Sequence, residues 1–301
     1  AAHNVGAWAI RNEVMGEPLP PYKPIKLFGK SLANGLGLAA GFDKSAKLLR
    51  HLSFYGFGFI EVGSVTLRGG AGNPKPRMFR LGDDLMNRMG LPGDPAEIVA
   101  ERLADAPLDD NFGVNIAKTH DPDCLGDAAI NDVVDCYRLV GKFGIYTALN
   151  ISCPNTAEGK TFEDPAALRE LLSALAPNRP SDAPPLLVKL SPREPGEELD
   201  AIAQVCVDAG LDGFVCANTK PIDHAKHGKG GQSGSAVRPT ALAMIKHLKA
   251  TGKRIIGCGG VFTHEHFDAY LKAGAVAVQA YNGFVRGPNA GPKFAWAVVK
   301  R

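Results

Sequence analysis

The sequence predicts an α/β protein, a (β/α)8 TIM barrel with a short N-terminal helical extension and an insertion after strand 2. Short apolar runs typical of buried strands recur eight times along the chain, and a helical pattern follows each of them. Alternation of this kind indicates a parallel sheet, and eight repeats favour closure into a barrel. An open doubly wound sheet is the alternative, but its G-x-G-x-x-G signature is missing after the first strand.

The individual elements follow from the spacing of apolar residues and of Gly and Pro. The eight predicted strands cover about residues 35–40, 57–63, 112–116, 145–150, 186–190, 213–217, 254–258 and 275–279. The clearest helical patterns cover residues 44–55, 95–105, 127–140, 164–176, 197–209, 238–250, 264–273 and 291–300. Segment 64–94, rich in Gly, Pro and Arg, is the insertion, and it lies on the face where barrel active sites form. Because no linker interrupts the alternation of strands and helices, residues 26–301 are assigned to one barrel domain and residues 1–25 to the extension.

Composition and charge exclude several classes of protein. The 301 residues are 45% hydrophobic and 22% charged, which is typical of a globular protein with a sizeable core. A net charge of +3 without a basic block argues against a nucleic-acid partner. The six cysteines show no C-x-x-C spacing and indicate reduced thiols in a cytosolic compartment, with no metal site.

The N-terminal extension is predicted to contain one short helix at residues 3–15. Its apolar stripe either docks on the barrel or lies at a membrane surface, although its polar face carries few cations. The sequence contains no run of 18 apolar residues that would span a bilayer. We therefore predict a peripheral position on the cytoplasmic side of a membrane, or otherwise a cytoplasmic protein, and slightly favour a monomer.

The most polar stretch at a predicted strand end is Asn150–Thr156. It follows the apolar run 145–149 and packs two amides, a thiol and two hydroxyls into seven residues. Asn150 and Asn155 are able to clamp a planar ligand that bears amide and carbonyl edges, because Asn both donates and accepts. Cys153 lies between them, and its thiol titrates near enough to neutrality to act as a base or nucleophile. The structural alternative, a buried Cys packed beside a Pro turn, fits an isolated Cys better than one in this polar cluster.

Other polar residues and glycines end the remaining predicted strands and should converge on the same mouth of the barrel. They are Lys44, Ser64, Asn115, Lys118, Lys189, Asn218, Thr219, Gly259 and Gly260. Lys189 ends an apolar run, so it must leave bulk water, which is costly unless an anion partners it. An electron-rich cofactor ring would be such a partner, and a Schiff-base substrate is the alternative.

Two Gly-rich turns predict a phosphate cradle. Segment 256–261 follows the seventh strand and segment 280–283 follows the eighth, the two positions where barrels commonly bind phosphate through backbone N–H groups. Ser233 and Gly234, in the preceding Gly-rich loop, are expected to add contacts.

At this point the chain, from about residue 1 to residue 300, resembles the dihydroorotate dehydrogenases, FMN-dependent barrels of pyrimidine biosynthesis. The resemblance rests on motifs at residues 39–44, 63–66, 72–77, 86–90, 113–115, 150–156, 188–189, 218–219, 259–260 and 281–282. It implies FMN contacts from Ala40, Gly41, Ser64, Asn115, Asn150, Lys189, Ser233, Gly234, Gly260, Tyr281 and Asn282. It implies contacts to dihydroorotate or orotate from Lys44, Asn87, Gly90, Leu91, Asn150, Asn155, Asn218 and Thr219.

The resemblance also implies a reaction. Cys153 would take a proton from the carbon next to the ring carbonyl of dihydroorotate, while a hydride leaves the adjacent carbon for the flavin. Lys189 would stabilise the reduced ring. These roles agree with the residue chemistry, since the amides match the imide edge of a pyrimidine and Lys44 matches its carboxylate.

Two classes within this family compete for the chain. Motif 39–44 and the N-terminal helix resemble the membrane-associated class that reduces quinone, and His3, Arg80 and Tyr281 match positions that line its quinone tunnel. That class usually has Ser as the base, whereas Cys153 resembles the soluble class, and Gly90-Leu91-Pro92 departs from the usual Gly-Phe-Asn. We predict quinone as the electron acceptor.

Other functions remain open from the sequence alone. They are a soluble-class enzyme that uses fumarate or another acceptor, a Schiff-base aldolase with Lys189 or Lys118 as nucleophile, a reductase of uracil-type rings, and a non-catalytic binding barrel.

Overall fold

Eight parallel strands close into a barrel in the computed structural model, which describes residues 23–52, 55–106, 111–152, 161–288 and 290–300. The strands in chain order are β1 (Ile25–Leu27), β2 (Lys30–Leu32), β3 (Leu36–Leu38), β4 (Phe59–Val65), β5 (Met78–Leu81), β6 (Asp84–Asn87), β7 (Phe112–Ala117), β8 (Tyr146–Asn150), β9 (Leu186–Leu190), β10 (Gly213–Cys216), β11 (Lys220–His224), β12 (Gly228–Ser233), β13 (Arg254–Cys258) and β14 (Ala277–Ala280). The barrel order is β3-β4-β7-β8-β9-β10-β13-β14, with β14 pairing back to β3. The predicted (β/α)8 barrel is confirmed, and each barrel strand lies within two residues of its predicted limits.

Helices follow the barrel strands and cover the outside of the barrel. They are α1 (Leu49–Leu52), α2 (Ala96–Ala104), α3 (Gly126–Val140), α4 (Pro165–Leu175), α5 (Glu197–Asp208), α6 (Arg238–Leu248), α7 (His264–Ala273), α8 (Asn282–Arg286) and α9 (Phe294–Val299). The start of α4 shows how sequence sets an element boundary. The Asp164 side chain accepts hydrogen bonds from the backbone N–H groups of Ala166 and Ala167, both at 3.1 Å, and Pro165 occupies the first turn.

The predicted helix at residues 44–55 is wrong over its first half. The Asp43 carboxylate accepts hydrogen bonds from the backbone N–H groups of Lys47 at 2.9 Å and Leu48 at 2.8 Å. Ala46 adopts a left-handed φ of 55°, which no helix tolerates. These side-chain bonds compete with helix formation, so the chain makes a polar turn after β3 and becomes helical only at Leu49.

Two aromatic rings, of Tyr146 and Phe59, pack in the barrel interior. Each lies where a glycine on a neighbouring strand has no side chain. A Cβ atom on Gly113 would lie 2.2 Å from the Tyr146 ring, and one on Gly37 would lie 2.4 Å from the Phe59 ring. At the N-terminal end of the barrel, the β1–β2 hairpin adds Leu27 to the same buried cluster. The interior is therefore a packed core, and an open cavity can form only towards the C-terminal ends of the strands.

We expect Gly113→Ala to lower the free energy of unfolding by about 1–3 kcal/mol, because the Tyr146 ring would have to leave its present position. Denaturant titration measures the change. Gly70→Ala is the matched control, since the nearest atom to a Cβ there is the Gly72 backbone nitrogen at 3.9 Å. The control should change stability by less than about 1 kcal/mol. Equal stability of the two variants would show that the interior has room for the methyl group.

The insertion after β4 forms the hairpin β5–β6, which pairs with a second hairpin, β11–β12, to give a four-stranded antiparallel sheet. We call these four strands the roof sheet. The insertion was predicted, but the second hairpin was not. Its strands read Lys-Pro-Ile-Asp-His and Gly-Lys-Gly-Gly-Gln-Ser, without the apolar alternation of a strand, so that backbone pairing with β6 decides its structure.

The predicted helix at residues 3–15 lies outside the described residues, and the domain boundary at residue 25 stays a prediction. Within the described ranges, no helix is long and apolar enough to cross a membrane.

Candidate active site

A cavity opens between the C-terminal ends of the barrel strands and the roof sheet. All eleven residues predicted to contact the cofactor line it: Ala40, Gly41, Ser64, Asn115, Asn150, Lys189, Ser233, Gly234, Gly260, Tyr281 and Asn282. Six residues predicted to contact the substrate also line it: Lys44, Asn87, Leu91, Asn150, Asn218 and Thr219. The fold therefore brings residues from nearly the whole length of the chain to one place.

Some predicted residues are placed elsewhere. Gly90 precedes Leu91 but is not part of the cavity lining, and Arg80 of β5 is exposed outside it. Lys118 is buried and donates to the backbone carbonyl oxygens of Asp121 at 3.3 Å and Cys124 at 2.7 Å, so it has a structural role. Cys153, Asn155 and His3 lie outside the described residues.

A fully buried carboxylate lies beneath the cavity. Glu61 is 0% exposed, and its Oε1 accepts from Lys189 Nζ at 2.9 Å and from Asn115 Nδ2 at 3.0 Å. Its Oε2 accepts from the Tyr146 hydroxyl at 2.8 Å and from Gln279 Nε2 at 2.6 Å. Lys189 thus has a protein anion as its partner, where the sequence suggested a cofactor or a substrate.

Side-chain amides extend this network across the cavity. The Ser64 hydroxyl donates to Asn115 Oδ1 at 2.5 Å, and Asn150 Nδ2 donates to Ser64 Oγ at 3.4 Å. Asn218 Nδ2 donates to Asn150 Oδ1 at 3.2 Å and to Ser152 Oγ at 2.8 Å. The amides of Asn150 and Asn218 are therefore fixed by hydrogen bonds before any ligand arrives, which is the preorganisation that specific recognition of a planar ring requires.

The two lysines of the cavity differ electrostatically. Burial alone would lower the pKa of Lys189, but the Glu61 carboxylate, with the Cys258 thiol, raises this pKa above its ordinary value. Burial, together with the positive charge of Lys189, lowers the pKa of Lys44 to about 8. The Glu61 carboxylate thus favours the ammonium form of Lys189, whereas Lys44 has a pKa only just above neutrality.

The Gly-rich loops form a tight cradle at one end of the cavity. A Cβ atom on Gly260 would lie 2.5 Å from the Gly234 carbonyl oxygen, so only glycine allows the two loops to approach this closely. The Asn282 side chain exchanges hydrogen bonds with Ser233, donating to its carbonyl oxygen at 2.9 Å and accepting from its hydroxyl at 3.0 Å. Arg238 donates to the Gly260 carbonyl oxygen at 2.6 Å, which holds the second loop in place.

The segments that flank the site are anchored on both sides. Glu163, ten residues after Cys153 in the sequence, accepts from the Ser191 backbone N–H at 2.6 Å and pairs with Arg193 at 2.6 Å. Leu91, on the opposite rim, adopts a left-handed φ of 47° after a turn held by Asn73, whose backbone N–H donates to the Met89 carbonyl oxygen at 3.0 Å. The loop that carries Leu91 is thus held by a backbone hydrogen bond.

Comparison with known proteins identifies the family. Residues 24–298 match the family described as Dihydroorotate dehydrogenase. The chain belongs to the dihydroorotate dehydrogenase family. It is 36% identical to a dihydroorotate dehydrogenase (quinone) of Thermobifida fusca, over 96% of this chain and 81% of the relative. It is 40% identical to one of Thermus thermophilus, over 95% of this chain and 86% of the relative. The ligand-free DHODH of Eimeria tenella superposes with a TM-score of 0.88 at 29% identity, covering 99% of this chain and 92% of that one.

Membership of the dihydroorotate dehydrogenase family excludes the aldolase alternative, and the geometry agrees. A Schiff-base lysine attacks as a neutral amine. Lys189 is an ammonium ion paired with Glu61, and Lys118 is engaged by backbone carbonyl groups outside the cavity.

Sequence reasoning missed three residues of this dihydroorotate dehydrogenase site: Glu61, Tyr146 and Gln279. A signal existed for two of them, because Glu61 and Gln279 each interrupt an otherwise apolar barrel strand. A polar residue inside such a strand faces either the barrel interior or the helices, and sequence spacing alone did not show that both face the same interior point.

Proposed function

We propose that this protein oxidises dihydroorotate to orotate in de novo pyrimidine biosynthesis, with FMN as the bound cofactor and a quinone as the electron acceptor. The observation that carries the proposal is the convergence of the Gly-rich cradle, the Lys189 ammonium and the fixed amides of Asn150 and Asn218 on one cavity. Each of the three matches a different part of the reacting molecules.

The residues present fit FMN. Gly234 and Gly260 line the cavity on two loops that pack directly against each other, and backbone N–H groups in Gly-rich loops bind phosphate. Lys189 supplies a cation at the cavity wall for the electron-rich edge of the flavin ring, and Asn115 supplies an amide beside it. When bound, FMN supplies the acceptor for the hydride of the substrate.

The residues proposed for the substrate match a carboxylated pyrimidine. The Lys44 ammonium would pair with the carboxylate, and the amides of Asn87, Asn150 and Asn218 would meet the imide edge. Cys153 is proposed as the base that takes the proton from the ring carbon, with Asn155 completing the clamp. A uracil-type ring would leave Lys44 without a partner, which favours dihydroorotate over that alternative.

A quinone acceptor is supported by an apolar and an aromatic side chain in the cavity lining, Met78 and Tyr281. Met78 of the roof sheet is 41% exposed and lines the cavity, and Tyr281 lies 6.1 Å from the Phe42 ring, measured between centroids. Arg80 lies two residues beyond Met78 on the same strand and therefore on the same face of β5. We propose that the helix at residues 3–15 completes this part of the cavity and makes the peripheral membrane contact.

Anaerobic half-reactions test the proposed function. The purified protein should absorb at about 450 nm, as flavoproteins do, and dihydroorotate should bleach this band. Quinone, fumarate and NAD are then offered separately, and only quinone should restore the band quickly.

Deleting residues 1–20 should slow reoxidation by quinone and leave the bleaching step intact. A colourless protein that fails to bind added FMN would refute the proposal, and rapid reoxidation by fumarate would move the chain to the soluble class.

The proposed role of Lys44 predicts a pH dependence. Below pH 8 its ammonium group is present and binds the carboxylate; above its pKa of about 8 the charge is lost. The KM for dihydroorotate should therefore stay level up to about pH 7 and rise by up to about tenfold per pH unit above pH 8. Lys44→Met is the matched control, with a high KM at every pH. A native KM that stays level to pH 10 would contradict this role.

A further inference from the structure

Glu61 accepts four hydrogen bonds beneath the cavity. Both of its oxygens accept two hydrogen bonds, and a carboxylate removed from water keeps its charge only when such donors replace the water. Of its four donors, only Lys189 is a cation. The pair therefore sits as a neutral unit in the low-dielectric interior, where a charge change on one partner acts strongly on the other.

Lys189 depends on Glu61 for its proton. It is 5% exposed, and Glu61 is the only carboxylate within ion-pair distance of it in the described part of the chain. The other titratable groups that influence it are the Cys258 thiol on β13 and, from the loop after β3, the Lys44 ammonium, which repels a proton on Lys189. Burial and Lys44 both favour the neutral amine, so the Glu61 charge decides in favour of the ammonium.

The same carboxylate sets the direction of the amide chain. Because Glu61 accepts from Asn115 Nδ2, the Asn115 oxygen is left to accept from the Ser64 hydroxyl. Ser64 in turn accepts from Asn150 Nδ2, which turns the Asn150 oxygen towards Asn218. An acceptor-only group at the end of this chain thus determines which edge each amide presents.

We propose that Glu61 is a positioning residue of the flavin site, which holds Lys189 as an ammonium ion and orients Asn115 without touching cofactor or substrate itself. The proposal deepens the proposed function and rests on FMN as the cofactor. It implies that the charge offered to the flavin edge is independent of pH in the native protein, and that this independence is lost when Glu61 loses its charge.

The test measures flavin retention rather than turnover. Holoenzyme is diluted at pH values from 6 to 9, and released flavin is followed by its fluorescence, which gives a dissociation constant at each pH. The Lys189→Arg protein, whose cation does not titrate, gives the baseline set by Lys44, Cys258 and the flavin phosphate, and relative to this baseline the native profile should be level. In Glu61→Gln the dissociation constant should be close to native at low pH and rise by up to about tenfold per pH unit once Lys189 begins to lose its proton. Lys44 and Cys258 are both coupled to Lys189, so the part of the Glu61→Gln slope that disappears when Lys189 is also replaced by Arg is the part that reports on Lys189.

Two further variants separate charge from packing. Glu61→Gln combined with Lys189→Arg should restore a level profile, because a guanidinium keeps its charge at every pH used. Tyr146→Phe removes the hydrogen bond to Oε2 but leaves the Lys189 contact on Oε1, so its profile should stay level as well. A slope in the Tyr146→Phe profile would mean that general disruption of the network, rather than the Glu61 charge, sets the pH dependence.

Several outcomes would overturn the proposal. A level profile for Glu61→Gln, whether at native affinity or uniformly weakened, would leave Glu61 a packing role only. If Glu61→Gln gives no folded protein, the native profile is compared with that of Lys189→Arg. A pH slope that is present in the native profile and absent from the Lys189→Arg profile would show that Lys189 titrates despite Glu61, which would overturn the proposal. Failure of the proposed function looks different, since a native protein without flavin has no profile to compare.

Discussion

Replacing Cys153 by Ala should slow flavin reduction by dihydroorotate by roughly 10²–10⁴-fold, the usual effect of losing a general base. A free Cys has a pKa of about 8.5, so only a few per cent is thiolate at neutral pH unless the site lowers that value. The native rate should therefore increase with pH until the pKa of Cys153 is passed. Stopped-flow absorbance under anaerobic conditions measures both the rate and its pH profile.

Controls for this prediction come from the chain itself. Cys258 also lines the cavity, and Cys258→Ala should leave inactivation by iodoacetamide unchanged if Cys153 is the reactive thiol. Orotate should protect Cys153 from the reagent. Cys153→Ser should be nearly as slow as Cys153→Ala if the site depends on a thiol. Substantial activity of the Ser variant at high pH would indicate a hydrogen-bond network of the kind that the quinone class provides. A Cys153→Ala protein that reduces flavin at the native rate would show that the thiol only packs.

Lys189→Met should lower the free energy of unfolding by about 3–5 kcal/mol, because it leaves the Glu61 carboxylate buried without its cation. Native and variant proteins are compared after flavin removal, so that lost flavin binding does not contribute. Denaturant titration followed by far-UV circular dichroism gives both values.

The double variant Lys189→Met with Glu61→Gln should recover most of this loss, since neither partner is then an unpaired charge. Lys47→Met is a matched control on the surface. Its ion pair with Asp94 spans 2.7 Å but is partly exposed, so its removal should cost about 1 kcal/mol or less. If Lys189→Met costs no more than Lys47→Met, Glu61 must be reached by water or carry a proton in the variant.

The barrel and the cavity lining were predictable because each depends on a local pattern. Strands such as Leu186–Leu190 are apolar runs of the right length, and the polar residue at the end of each run had to lie at the barrel mouth once the fold was known. Asn150, Lys189 and Asn218 were therefore placed together from the sequence alone.

The features that escaped prediction depend on contacts between distant segments. Glu61 and Gln279 are 218 positions apart and meet only because the barrel closes. The β11–β12 hairpin has no strand pattern of its own and is stabilised by pairing with β6. The turn at Ala46 follows from two hydrogen bonds to Asp43 that overrode a helical pattern. In each case a tertiary or side-chain interaction outweighed local propensity.

The roof sheet has a consequence for how the protein folds. Asp84 on its first hairpin accepts a hydrogen bond from Gln232 on the second, 148 residues away in sequence. Loop closure over that distance is entropically costly until the intervening barrel strands have brought the two hairpins together. The roof should therefore form after the barrel closes and should be the first part to open, with amide hydrogens of β6 and β12 exchanging faster than those of β8 and β9. If the roof opens first, ligands can enter the cavity by local opening while the barrel beneath stays intact.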